Sequence, residues 1–257
     1  MKILLIAGHG AGDPGASGNG YKEYKLTREL VNLIAPKLRE YVAVDIYDTT
    51  RNAFKDVQNG RFNVGKYDYA LEVHFNAYSD PKAHGSEIFV TTKEKGITVE
   101  QEIMKNMKRY FTLRDNDSIF DGVKRTNFLV IKTLKNRGIS GALIEVCFIT
   151  NKNDMIVYST NKNAIAGDIV AGIVKGFGLK KRVTTTTVKK TITVGSKVKV
   201  SSDAHIGGLA SNRGDKASPY LKSKTWIVED IETHIGVKEA LLKNADTWVP
   251  VKYLEVI

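Results

Sequence analysis

Hydrophobic positions along the chain follow two periods. Short apolar or alternating runs at 2–7 (KILLIA), 42–47 (VAVDIY), 68–73 (DYALEV), 86–91 (SEIFVT), 127–131 (NFLVI) and 142–148 (ALIEVCF) predict β-strands. Between them, apolar residues recur every three or four positions. They form one stripe over 23–40 (Leu26, Leu30, Leu33, Ile34, Leu38), a second over 97–112 (Ile103, Met104, Met107, Tyr110, Phe111) and a third over 162–177 (Ile165, Ile169, Ile173, Val174). Strands alternating with helices predict an α/β class, a mostly parallel sheet flanked by helices.

The pattern breaks at GFGLKKRVTTTTVKKTITVG, residues 176–195, where threonine and lysine carry no core-forming period. A linker is expected over 181–190. Beyond it, TITVGSKVKVSS, KTWIVEDIE, EALLKN and TWVPVKYLEVI are short β-type segments separated by turns, which predicts a small all-β barrel. The expected domains are therefore 1–180 and 191–257.

Composition narrows the function classes. With 257 residues and 42% hydrophobic content the chain can bury a full core. Its single cysteine, Cys147, excludes an intrachain disulfide and a cysteine-rich zinc site, so any metal needs histidine and carboxylate ligands. A net charge of +11 favours polyanionic surfaces such as nucleic acid, anionic membrane or anionic wall polymers. That surplus is spread, +6 over 1–180 and +5 over 181–257, which argues against a dedicated basic tail and against a nucleic-acid stripe. No stretch approaches the roughly 20 apolar residues of a membrane span, and no signal peptide is legible before His9. Synthesis in the cytoplasm without stable membrane insertion is the expectation.

In open α/β sheets functional groups gather beyond the carboxyl ends of the strands. His9 follows the first strand, His74 closes YALEVHFNA, and Glu145 interrupts the apolar GALIEVCF, where an unpaired carboxylate is costly. Glu23 stands where a glycine-rich loop becomes the first long helix. Two histidines and a carboxylate are the ligand set of an open catalytic zinc site. Plainer readings exist for each: a histidine after a strand is often a cap, and a glutamate at a helix start answers the helix dipole. The loop GHGAGDPGASGNG lacks both GxGxxG and GK[ST], so a phosphate cradle is poorly supported. For Asp13 and Asn76, contact with the ligating histidines or the substrate competes with capping or turn formation.

GHGAGDPGASGNGYKE, EVHFNAYSDPKAHGSEIFV and ALIEVCFITNKND, in that order over most of residues 1–178, resemble the successive motifs of the zinc-dependent N-acetylmuramoyl-L-alanine amidases of the Amidase_3 type. The resemblance implies one zinc ion held by His9, Glu23 and His74, with Glu145 assisting catalysis. Cys147 stands where the family usually has a small residue, and Glu29 is a competing carboxylate six residues beyond Glu23, on another face of the helix. Residues 191–257 resemble the bacterial SH3-like modules of cell wall hydrolases, through VGSKVKVSSDAHIGG, KTWIVEDI and WVPVKYLE. There Tyr220, Trp226, Trp248 and Tyr253 are candidates for an aromatic groove holding a wall peptide, with Trp226 equally placed to be core. Together the two resemblances imply a phage endolysin acting on Gram-positive peptidoglycan, drawn to anionic wall polymers and released by a separate holin-type protein. A bacterial autolysin and a catalytically silent wall binder are the alternatives.

Overall fold

The apolar run after Met1 forms β1 (Lys2–Ala7), and its side chains alternate between two cores. Ile3, Leu5 and Ala7 pack on one face, Leu4 and Ile6 on the other. A strand buried on both faces belongs inside a sheet. The chain continues through a two-rung hairpin, β2 (Ser17–Gly18) and β3 (Tyr21–Lys22), into α1 (Glu23–Arg39), β4 (Ala43–Ile46), α2 (Ala53–Gln58), β5 (Tyr69–Asn76) and β6 (Glu87–Val90). Then follow α3 (Thr98–Met107), β7 (Val123–Arg125), α4 (Leu129–Asn136), β8 (Ser140–Phe148) and α5 (Lys152–Gly176). This is a computed structural model, and it describes residues 1–182, 191–208, 214–234 and 236–257.

Six strands form one sheet in the order β4-β1-β5-β8-β6-β7. The first four run parallel, and β6 turns back antiparallel to β8. Helices α1, α3 and α5 cover one face; α1 contributes Leu30, Ile34 and Leu38, each fully buried, and such side chains add roughly 1.5–3 kcal/mol apiece. On the opposite face α4 packs Val130 and Leu134 against Leu4, Ile6 and Ala70. The polar end of this second face is left for the site.

Three expectations need correction. Residues 127–131 are not a strand: Leu129 opens α4, and Val130, Ile131 and Leu134 bury one helical stripe. A five-residue apolar run does not distinguish the two periods, and the polar residues that follow hid the helix. Helix α5 starts at Lys152, ten residues before the expected 162, because Asn151 caps it by accepting the Asp154 N–H. Helix α3 ends at Met107, so Tyr110 and Phe111 pack from the turn beyond it.

The described chain divides into Met1–Arg182 and Val183–Ile257. Of the expected linker, residues 183–190 lie outside the described residues. The second unit is a five-stranded antiparallel sheet made of β9 (Lys197–Val200), β10 (Thr225–His234), β11 (Val237–Leu242), β12 (Thr247–Pro250) and β13 (Leu254–Val256) in the order β12-β11-β10-β9-β13, with α6 (Pro219–Ser223) preceding β10. Val198, Val200, Val228, Leu242 and Val249 form its core. No helix of the described residues is long and apolar enough to cross a membrane.

Candidate functional site

Three side chains from three elements converge beyond the carboxyl ends of β1 and β5. His9 follows β1, Glu23 is the first residue of α1, and His74 lies near the end of β5. Each offers a ligand atom, all within 4.8 Å of one another, the one such group found among the described residues.

Glu23 is the hub. It is 3% exposed, and both carboxylate oxygens are used. Oε1 accepts the Phe75 N–H at 3.0 Å and lies 3.0 Å from His74 Nδ1; Oε2 accepts the Ala16 N–H at 2.9 Å and lies 3.1 Å from His9 Nε2. Burial raises its pKa, but the hydrogen bonds from His74 and His9 hold it well below the usual carboxylate range. Burial, the largest influence, lowers the pKa of each histidine, and the neighbouring carboxylates together outweigh it, Glu23 and Asp13 at His9 and Glu23, Glu72 and Glu145 at His74. Both imidazoles end above 6.5, His74 well above.

The local backbone is shaped to this cluster. His9 adopts φ +61°, a left-handed conformation that costs a non-glycine residue energy and marks a functional constraint. Gly8 lies under the His74 ring, where a Cβ would stand 2.3 Å from Cε1. Gly15, at φ +63°, passes so close that a Cβ would stand 2.7 Å from Glu23 Oε2. Arg28 clamps the loop from α1, donating to the carbonyls of Gly8 and His9 at 3.0 Å each.

Around the three lies a ring of orienting groups. Asp13 Oδ2 is 3.0 Å from His9 Nδ1, which turns His9 Nε2 toward the centre; Asp13 is itself held by Asn52 and by the Gly15 N–H, 3.0 Å each. Glu72 Oε1 is 3.2 Å from His74 Nε2. Glu145 stands on β8 in register with His74, and on its other side in register with Glu87 of β6. One of its oxygens, Oε2, is buried without a hydrogen-bond partner. Burial pushes its pKa up to about 8; His74 opposes this, while Glu23 and Glu87 add to it.

The remaining expected residues fall into three places. Asn76 shares the face of His74 and donates to Glu87 Oε1 at 2.8 Å. Glu29 points elsewhere, engaged by Lys162 and Tyr158 of α5, which leaves Glu23 without a rival. Trp226 is 7% exposed in the core of the second unit, its indole N–H donated to the Leu221 carbonyl at 2.9 Å, so its surface is not free to wall a groove. Tyr220 is exposed, with the Lys224 ammonium 4.1 Å from its ring centre.

Sequence reasoning missed Glu72 and Glu87. The signal for Glu72 was the two-residue period in LEVHFN, which puts Glu72, His74 and Asn76 on one face. Glu87 is 4% exposed and bound by Lys124 at 2.6 Å and Arg114 at 3.2 Å. Breaking a buried pair by deleting one partner strands the other charge. Lys124→Met is therefore expected to destabilise the fold by about 3 kcal/mol in urea denaturation. A companion Glu87→Gln change should recover part of that; a loss below about 1 kcal/mol would show that the pair does not hold this end of the sheet.

The donor chemistry fits a metal. Two imidazole nitrogens and one carboxylate oxygen are a catalytic zinc set, and tetrahedral ligands at ~2.1 Å from zinc lie about 3.4 Å apart. Here each histidine meets its own Glu23 oxygen, His74 at Oε1 (3.0 Å) and His9 at Oε2 (3.1 Å), and a set of one ligand atom from each of the three residues lies within 4.8 Å. Comparison with known proteins agrees in family. A profile described as N-acetylmuramoyl-L-alanine amidase matches residues 3–175. The Staphylococcus aureus protein named "Probable autolysin PH" is 28% identical over 197 residues, 68% of this chain and 38% of its own, so the chain spans well under half of that relative. The endolysin of Bacillus phage SPP1 is 28% identical over 191 residues, 70% of this chain and 67% of its own. Among solved structures, the catalytic domain of the CD27L endolysin targeting Clostridia difficile superposes with a TM-score of 0.55 at 26% identity, over 68% of this chain and 97% of that one.

Proposed function

Because the chain belongs to the N-acetylmuramoyl-L-alanine amidase family, matched over residues 3–175, we propose that it hydrolyses the amide joining the lactyl group of N-acetylmuramic acid to the L-alanine of the peptidoglycan stem peptide. The observation that carries this reading is the meeting of His9, Glu23 and His74, with Glu145 in register beside them. His9, Glu23 and His74 would hold zinc, which when bound supplies a Lewis acid that acidifies water and polarises the amide carbonyl. Asp13 and Glu72 orient the two imidazoles. Glu145 takes a proton from the attacking water and returns it to the leaving alanine nitrogen. A carboxyl with a sealed, unpartnered oxygen and a raised pKa is suited to both halves of that exchange.

The second unit is read as an SH3-like wall-binding module, supported by its five short antiparallel strands. With it the chain is an endolysin for Gram-positive peptidoglycan, made in the host cytoplasm and released by a holin-type partner. The endolysin of Bacillus phage SPP1 supports this origin; the staphylococcal relative keeps a bacterial autolysin as the second reading.

Mass spectrometry of soluble products from purified Gram-positive walls tests the reaction, with a chelator-treated control. The expected products are free stem peptides beginning with L-alanine beside unbroken glycan, and none after chelation. Cut glycan or opened cross-bridges would place the chemistry elsewhere, and intact walls would leave only binding.

A further inference from the structure

Beside the loop that holds His9 lies a hollow of about 470 Å3, walled by Ala11, Asn52, Arg51, Lys55, Asp56 and Arg61 among others. It is linked to the metal centre by a relay of side chains, Asn52 to Asp13 to His9. Asn52 is 2% exposed and donates to Asp13 Oδ2 at 3.0 Å, and the same oxygen lies 3.0 Å from His9 Nδ1. Asn52 also caps α2 by accepting the Lys55 N–H, so the helix that carries Lys55 is tied to the loop whose Asp13 orients His9.

Three cations face one acid there. Asp56 is occupied: it accepts from Arg51 Nε at 2.8 Å and Tyr47 Oη at 2.6 Å, with Arg61 Nε at 3.8 Å. This leaves a surplus of positive charge, carried by Lys55, which makes no ion pair among the described residues, and by the outer part of Arg61, whose side chain is 67% exposed. On the acyl side of the amide to be cut, the substrate is a neutral sugar; on the amine side it is a peptide bearing free carboxylates.

We propose that this hollow is the subsite for the acidic peptide on the leaving side of the amide, with Lys55 and Arg61 receiving the carboxylate of the residue that follows the alanine. The inference rests on the amidase reading and adds to it a direction for the substrate: peptide toward α2, sugar away from it. Lys55 and Arg61 touch the bound peptide far from the reacting atoms, so they stabilise ground state and transition state alike. Their loss raises KM and leaves kcat unchanged.

Two soluble muramoyl peptides test it, one with a free carboxylate at the second residue and one with that carboxylate amidated. The full chain should cut both, with KM about tenfold lower for the free acid, a preference that salt erodes. Lys55→Gln with Arg61→Gln should remove the preference by raising KM for the acid alone, and Lys55→Arg should keep it. Equal KM for both peptides in the unmodified chain, or an equal loss on both in the double variant, overturns the subsite while the amidase reading stands. Failure to cut either peptide overturns the amidase reading and this inference with it.

Discussion

Glu145→Gln is expected to lower turnover on peptidoglycan by about 10²- to 10⁴-fold while metal content and circular dichroism stay at the level of the unmodified chain. The amide keeps the shape of the side chain and its place on β8 opposite His74, but accepts no proton from water at neutral pH. The same substitution makes a second, independent statement about the metal-free protein. Burial places the Glu145 carboxyl at about 8, against 4.5 for an unperturbed glutamate. A raised carboxyl pKa stabilises the fold fully below 4.5, and that stability is lost as pH rises through 8. Removing the charge removes the loss, so the chelated Glu145→Gln chain should outlast the chelated parent at pH 9 by up to about 5 kcal/mol. Urea denaturation at pH 5 and pH 9 reads this directly. A turnover loss under tenfold would remove Glu145 from the proton transfer, and equal pH dependence in the two chains would show that its carboxyl is not the buried titrating group.

Zinc affinity should rise steeply with pH, and His9→Ala should abolish both tight zinc binding and hydrolysis. His9 and His74 are held above 6.5 by Glu23, aided at His9 by Asp13 and at His74 by Glu72, so both must shed a proton to the medium before they ligate. Below those values two protons compete with one ion, and affinity is expected to fall by up to about 100-fold for each pH unit. Stability of the chelated protein runs the opposite way. A raised histidine pKa contributes fully below 6.5 and is lost as pH climbs through the folded value, so the charged cluster stabilises the metal-free fold most in mild acid. The gain in Tm on adding zinc should therefore be larger at pH 8 than at pH 6. Competition titrations against a chelator at three pH values measure the slope; a flat line would mean that these histidines do not give up protons to the ion.

How legible the site was depended on whether a residue acts within its own segment or across elements. His9, His74 and Glu145 were readable because each breaks the rule of its own segment: a histidine among glycines after a strand, another at a strand end, a carboxylate inside an apolar run. Glu23 and Glu29 were separable by helical angle, but which one faces the histidines was settled by α5, where Lys162 and Tyr158 take Glu29. Glu87 gave little sign in SEIFVT, because its reason for being charged lies in Lys124 and Arg114, 37 and 27 positions further on. Trp226 looked available because aromatic residues in a small sheet domain serve either core or surface, and only the path of α6 decided for the core.

The sequence by itself determined the α/β alternation, the change to short β segments after residue 190 and the residue types able to ligate a metal, because periodicity and side-chain chemistry are local. Tertiary structure decided the rest. It brought His74 to Glu23 across 51 residues, turned β6 against the direction of β8, and made a helix of residues 129–136. It also left a cationic hollow beside Asn52. Those outcomes depend on which surfaces of distant segments bury one another, and a linear pattern carries that only through the packing it allows.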